Sequence, residues 1–196
     1  MNFRTVIRTI APAALLLLAT SVIQAIPING SLPLNGGGLT QNSTDLSLST
    51  LISSTSVTNL SLGSGSYAFI PVLTNFGGAT LDLNNLASFS FSSTVWGSFA
   101  ATVNPSNQIV QRTANFLDVF IIGNFTPGTN PGWAGFDTTN SSLRFSINQS
   151  GSSISEAITL NSPALPPPGV PEPATMVLMG AGLVGLGLFG RNRLVR

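Results

Sequence analysis

The chain has 196 residues and carries 7 arginines against 6 acids, with no lysine, histidine or cysteine. Those absences exclude thiolate nucleophiles, imidazole bases, Schiff-base lysines, Ser-His-Asp triads and Cys/His zinc sites. Five arginines lie at the two ends; between residues 26 and 173 only Arg112 and Arg144 oppose Asp45, Asp82, Asp118, Asp137, Glu156 and Glu172, leaving the interior at −4. Phosphate backbones are bound by clustered cations, so no nucleic-acid partner is expected, and nothing calls for a cofactor.

Residues 1–25 have the organisation of a secretory signal helix. Arg4 and Arg8 supply a positive start, Ile10 to Ala19 an apolar core with Leu15-Leu16-Leu17-Leu18, and Ala25 a small residue for signal peptidase to cut after. Cleavage after Ser21 is the alternative. The apolar core is shorter than the ~20 residues that a membrane span needs, which favours export with removal over anchoring.

Residues 26–44 are polar and glycine-rich and are expected to be a loose N-terminal segment. From 45 to 162 the chain is rich in Ser, Thr, Asn and Gly, yet residues 26–173 hold ten of its Phe, both Trp and the only Tyr. Apolar residues alternate with polar ones, the period-two mark of strands. Leu46, Leu48 and Leu51-Ile52 begin the pattern. Tyr67-Ala68-Phe69-Ile70 suggests a strand stopped by Pro71. Leu81 and Leu83, Phe89 and Phe91, and Phe99, Ala101 and Val103 continue it. Asn115 to Gly123 is the most apolar run and the expected central strand. Leu143, Phe145 and Ile147 form one face and Ile154, Ile158 and Leu160 another, with a hairpin turn at Gln149-Ser150-Gly151-Ser152 between them. No amphipathic helix is found in this interior. One all-β domain is expected, an antiparallel sandwich or barrel-like ectodomain at 45–162.

Candidate chemistry inside this domain is sparse. Asp118 lies in the most apolar run, where a buried carboxylate would suit acid–base work; the competing reading turns it outward or pairs it with Arg112 or Arg144. Two carboxylates can hydrolyse a glycosidic bond, but no spacing brings these acids together. Asp82-Leu83-Asn84-Asn85 lacks the dense acids of a calcium loop. Trp96, Trp133 and Tyr67 are candidates for stacking on sugar rings, against the commoner role of packing.

Pro163, Pro166, Pro167 and Pro168 make residues 163–169 a stiff spacer. Residues 170–196 follow as a unit. Pro171-Glu172-Pro173 is held extended by its prolines. Residues 174–190 are uncharged and mostly apolar, about 25 Å long as a helix and near the lower limit for a span. Arg191, Arg193 and Arg196 end the chain and would hold the basic tail, 191–196, in the cytoplasm. Within the apolar run, Gly180-Ala181-Gly182-Leu183-Val184-Gly185 matches G-x-G-x-x-G, but no βαβ unit surrounds it; its small residues suit helix contact in a membrane.

This ending resembles the PEP-CTERM sorting domain, a tail also labelled the ice-binding protein C-terminal domain. The resemblance implies a Gram-negative-type bacterium and a membrane-embedded exosortase that reads Pro171, Glu172 and Pro173 and cuts nearby. The chain would be exported across the inner membrane, held there by its C-terminal transmembrane helix, then passed to the cell surface or extracellular matrix. The stretch from Trp96 through Ser150 is similar, more loosely, to the β-rich ectodomains of cyanobacterial PEP-CTERM proteins, which implies no activity. The reading is a non-enzymatic surface or matrix protein that engages exopolysaccharide. The alternatives are a carboxylate hydrolase and an ice-binding protein, the latter without the regular Thr-x-Thr rows that ice favours.

Overall fold

The computed structural model describes residues 26–167, in which thirteen strands follow one another. They are β1 (Ile26–Pro27), β2 (Gly30–Gly37), β3 (Thr40–Gln41), β4 (Leu51–Ser54), β5 (Ser56–Thr58), β6 (Ala79–Asp82), β7 (Ser90–Ser93), β8 (Gly97–Ala101), β9 (Gln108–Arg112), β10 (Phe116–Thr126), β11 (Phe136–Asp137), β12 (Thr139–Ser150) and β13 (Ser153–Ser162). The main sheet runs β5-β2-β13-β12-β10-β8-β7, with β9 also paired to β10. All its pairings are antiparallel.

Its two outer strands are tied together by the residues after Thr74. Phe76 donates its N–H to Val57 of β5 at 2.8 Å, Val57 donates to Gly77 at 2.6 Å, and Ser92 of β7 donates to Phe76 at 3.1 Å. The sheet thus curls into a nearly closed barrel, and the expected sandwich-or-barrel domain is the barrel-like form. A closed sheet leaves few unpaired edges, the usual hazard of an all-β chain. Two small sheets flank it, β3-β4-β6 and the parallel pair β1-β11.

Alternation decides what fills the barrel. Leu117, Val119, Ile121 and Phe125 of β10 point inward, as do Leu143, Phe145 and Ile147 of β12 and Ile158 and Leu160 of β13; each is buried. The aromatic rings interlock at their edges: Phe89 meets Phe145 at 4.9 Å and Tyr67 meets Phe125 at 5.2 Å, both near perpendicular. The β12–β13 hairpin closes where expected. Ser150 pairs Ser153, and Gly151 takes φ +59°, the left-handed backbone that a two-residue turn demands.

Five expectations change. Residues 26–44 are not loose, because Leu32 and Leu34 of β2 are buried and β2 pairs with β13 from Gly30 to Leu34. Ser31, Pro33 and Asn35, which alternate with those leucines, lie on the other face, and Pro33 is tolerated because the ladder to β5 begins only at Asn35. Tyr67–Ile70 is not a strand. Gly65–Tyr67 forms a 3-10 turn, and the buried residues Tyr67 and Ile70 stand three apart, a helical spacing. Leu46 and Leu48 do not begin a strand either, since the Asp45 carboxylate accepts the N–H groups of Ser47 and Leu48 and bends the chain there. Val103, expected to continue the inward row, is 95% exposed.

The fifth change concerns the spacer. Pro163 to Pro167 does not project from the domain but folds back over the barrel wall. Ala164 donates to the Asn140 carbonyl at 2.9 Å and Leu165 to Ser142 Oγ at 3.0 Å. The expected signal helix at 1–25, and the sorting unit at 170–196 with its transmembrane helix, lie outside the described residues. Among the described residues no helix is long and apolar enough to cross a membrane.

Among the described residues, one side-chain-bearing residue carries backbone strain. Leu73 has φ +67° and is 70% exposed, a conformation that asparagine and glycine adopt at lower cost than leucine. Leu73→Asn is expected to stabilise the domain by about 0.5–1 kcal/mol, read as a rise in the urea midpoint with an unchanged slope.

Candidate functional site

β10 is buried on both faces for most of its length. Its outward side chains, Asp118, Phe120 and Ile122, therefore need cover from outside the barrel. Asp118 is 6% exposed and takes two hydrogen bonds from Arg144 of β12, Nε to Oδ1 at 3.1 Å and Nη2 to Oδ2 at 2.7 Å. Arg144 stands directly opposite Phe120 in the ladder and reaches diagonally to Asp118. The planar fork fits the carboxylate, and the hydrogen bonds it donates to Asp118 hold the guanidinium more firmly in its charged form. With the Arg144 side chain 53% exposed, the pair adds modestly to stability. Its main effect is to fix where the guanidinium points.

Beside that pair lies a groove of about 320 Å³ on the outer wall. Phe120 forms an apolar floor, Ser142, Arg144, Thr159 and Asn161 supply polar groups, and Leu165 with Pro166 closes one side. An apolar surface with a few convergent donors and acceptors is the usual make-up of a small-ligand site. The folded-back residues after β13 complete it, so the chain leading to the sorting tail is one wall of the groove.

The remaining acids are placed very differently. Asp45, Asp82 and Asp137 each accept backbone N–H groups within their own turns, from Ser47 and Leu48, from Asn84 and from Thr138. Hydrogen bonding by the Ser47 hydroxyl holds the Asp45 carboxyl below its ordinary value. Among the described residues no three acids gather as a metal site, and Asp82 serves its turn. Asp118 pairs opposite Ser146, whereas Asp137 precedes β12. Nine residues of extended chain separate Ser146 from Asp137, on the order of 30 Å.

Glu156 is the residue that the sequence reading passed over. It lies on β13 in phase with Ile154 and Ile158, so it points into the barrel, where it is 6% exposed. That phase was the available signal. Gly36 makes room for it: a Cβ at Gly36 would stand 2.0 Å from Glu156 Oε2. Burial without a charge partner pushes its carboxyl up to about 7. Folding therefore favours the protonated acid. Stability is full below the ordinary value of 4.5 and is lost as pH rises through about 7, by roughly 3 kcal/mol in all. The domain is expected to melt higher at pH 5 than at pH 8, and Glu156→Gln is expected to flatten that difference; thermal melts of both proteins at the two pH values check it.

The aromatic candidates divide. Tyr67 and Trp133 are buried and pack against one another at 5.9 Å. The Tyr67 hydroxyl is bonded to Ser162 Oγ at 2.5 Å, and Ser162 in turn to Ser141. Burial pushes that phenol well above its ordinary value, so it stays neutral. Trp96 is half-buried, with the exposed Phe69 ring 6.2 Å away. It is the one of the three that is not buried.

The sequence-level sorting residues Pro171, Glu172 and Pro173, the arginines Arg191, Arg193 and Arg196, and the cleavage residue Ala25 all lie outside the described residues. Among known families, residues 169–193 match the PEP-CTERM protein-sorting motif. No curated protein and no solved structure matches the chain. The motif marks the chain as an exported, exosortase-targeted protein that undergoes membrane-associated sorting in bacteria.

Proposed function

We propose that the barrel is the cargo of this sorting signal, a non-enzymatic surface or matrix protein whose outer groove holds exopolysaccharide. The observation that carries the reading is the Arg144 guanidinium, fixed by Asp118 at the edge of a groove with an apolar floor. Its two bonds to Asp118 use Nε and Nη2, which leaves Nη1 for a ligand oxygen. Ser142 and Thr159 hydroxyls and the Asn161 amide suit the mixed donors and acceptors of a sugar. Sugar rings also present an apolar face, which the exposed Leu165 would meet.

A carboxylate hydrolase fits less well. Such enzymes hold two carboxyls roughly 5–10 Å apart across the scissile bond. Asp118 is committed to Arg144, Asp137 stands far along the wall, and Glu156 is inside the barrel. Replacing Asp118 by Asn together with Arg144 by Gln removes the pair without stranding a buried charge. The double variant is expected to retain its fold and bind the producer's exopolysaccharide about tenfold more weakly, a change of ~1.4 kcal/mol. Polysaccharide turnover that disappears in Asp118→Asn or Asp137→Asn would instead favour the hydrolase.

Processing has its own test. Intact-mass measurement of the mature protein is expected to show loss of residues 1 to about 25 and of the residues beyond Pro171-Glu172-Pro173. An Arg196 C-terminus recovered from a strain with working exosortase would defeat the processing reading.

A further inference from the structure

Between Asn59 and Thr74 the chain forms a loop folded around its own buried residues. Asn59 Nδ2 donates to the Pro71 carbonyl at 2.9 Å and Leu73 N–H donates to the Asn59 carbonyl at 2.8 Å, which closes the loop at its base. Tyr67 and Ile70 point into the barrel. The other large apolar side chains point out: Leu60 is 58% exposed, Leu62 64%, Val72 42% and Leu73 70%, with Phe69 also exposed. This one loop holds five of the twelve exposed large hydrophobic residues in the described chain. From Thr55 to Leu81 the sequence carries no charge at all.

Isolated exposed leucines need no explanation, but a concentration of them on one uncharged loop does. Leu73 adds a second sign. It keeps a leucine where asparagine or glycine would relieve the backbone, so the aliphatic side chain is retained at a cost in stability.

We infer that this loop docks on the lipid bilayer while the protein is anchored, with its leucines in the interfacial layer and Trp96 beside them. The inference rests on the reading of residues 174–190 as a membrane span. Given that reading, tether length favours lipid over other occupants. From Pro167 to Ala174 the fully extended chain reaches at most about 25 Å. The tether also begins near the loop: Leu165 bonds Ser142, the neighbouring Ser141 bonds Ser162, and Ser162 bonds Tyr67 within the loop. A domain on so short a leash meets the bilayer continually, and an uncharged apolar loop enters the interface without desolvating ions. Trp96 and Phe69 fit the same setting, because aromatic rings favour the membrane–water boundary. Cutting the tail would remove the tether, and with it the proximity that sustains the contact.

The test uses the full chain in vesicles of phosphatidylethanolamine and phosphatidylglycerol, with and without acyl-brominated lipid, which quenches tryptophan on contact. Flotation reports anchoring and fluorescence reports docking. The wild-type chain is expected to float and to lose roughly half of its quenchable Trp96 emission. A triple variant, Leu60→Ser, Leu62→Ser and Leu73→Asn, changes only exposed side chains. It is expected to float equally and to recover that emission, with an undiminished melting temperature. A chain that floats without quenching overturns the docking and leaves the anchor standing, and so does one whose quenching is indifferent to the triple variant. Burial of the loop in a concentration-dependent dimer, detected by crosslinking in the same vesicles, also overturns it. A chain that does not float removes the anchor reading and the docking together.

Discussion

Closure of the main sheet is the constraint from which the other features follow. A chain with few charges and many hydroxyls has little to hold it beyond backbone pairing and one apolar interior. Phe76 provides the join: its N–H and carbonyl link β5 to β7, while its ring lies 5.5 Å from Phe91 in the core. Once the barrel is closed, every strand has a defined inside and outside. A shift of register by one residue would turn Phe145 and Leu143 to water and Arg144 to the core.

The same closure accounts for the unusual placement of charge. Among the described residues Glu156 is the one acid caught inside, above Gly36, and its proton makes that position tolerable near neutrality and below. Asp118 lies under the outer cover and is matched by Arg144. Arg112 is spent on backbone, donating through Nε to the Leu46 carbonyl at 2.9 Å and through Nη2 to that of Ser49. The guanidinium thus pins the turn that Asp45 shapes. Few charges remain free to attract a ligand at a distance, so recognition by this domain must work by contact. The two contact surfaces we propose are the outer groove and the apolar loop. Both lie close to the point where the chain leaves for its sorting tail.

Much of the strand pattern was legible because period-two alternation depends only on which face each residue meets. Phe89 and Phe91, Leu143 to Ile147, and Ile158 and Leu160 all announce themselves in this way. The pattern failed where apolar residues served a turn, as at Tyr67 and Ile70. It failed also where Gly and Pro masked a real strand, as around Leu32 and Leu34. The groove was half legible. Pairing of Asp118 with Arg144 was one of the alternatives the residues allowed, but neighbours 26 positions apart in the chain cannot be chosen without the register. The contribution of Leu165 and Pro166 could not be read at all, because prolines suggest a projecting spacer until hydrogen bonds to Asn140 and Ser142 bring them back.

What the sequence by itself determined is that the protein carries a signal for exosortase-targeted sorting, and the class of its fold. Sorting signals are read as short contiguous segments, so Pro171-Glu172-Pro173 with its apolar run and arginines is complete information before anything folds. Alternation is likewise local. The tertiary structure alone decided that the sheet closes, that Glu156 is enclosed, that Arg144 selects Asp118, and that five apolar side chains share one exposed loop. Each of these depends on residues distant in sequence becoming neighbours, and that is set by register and closure rather than by any local pattern.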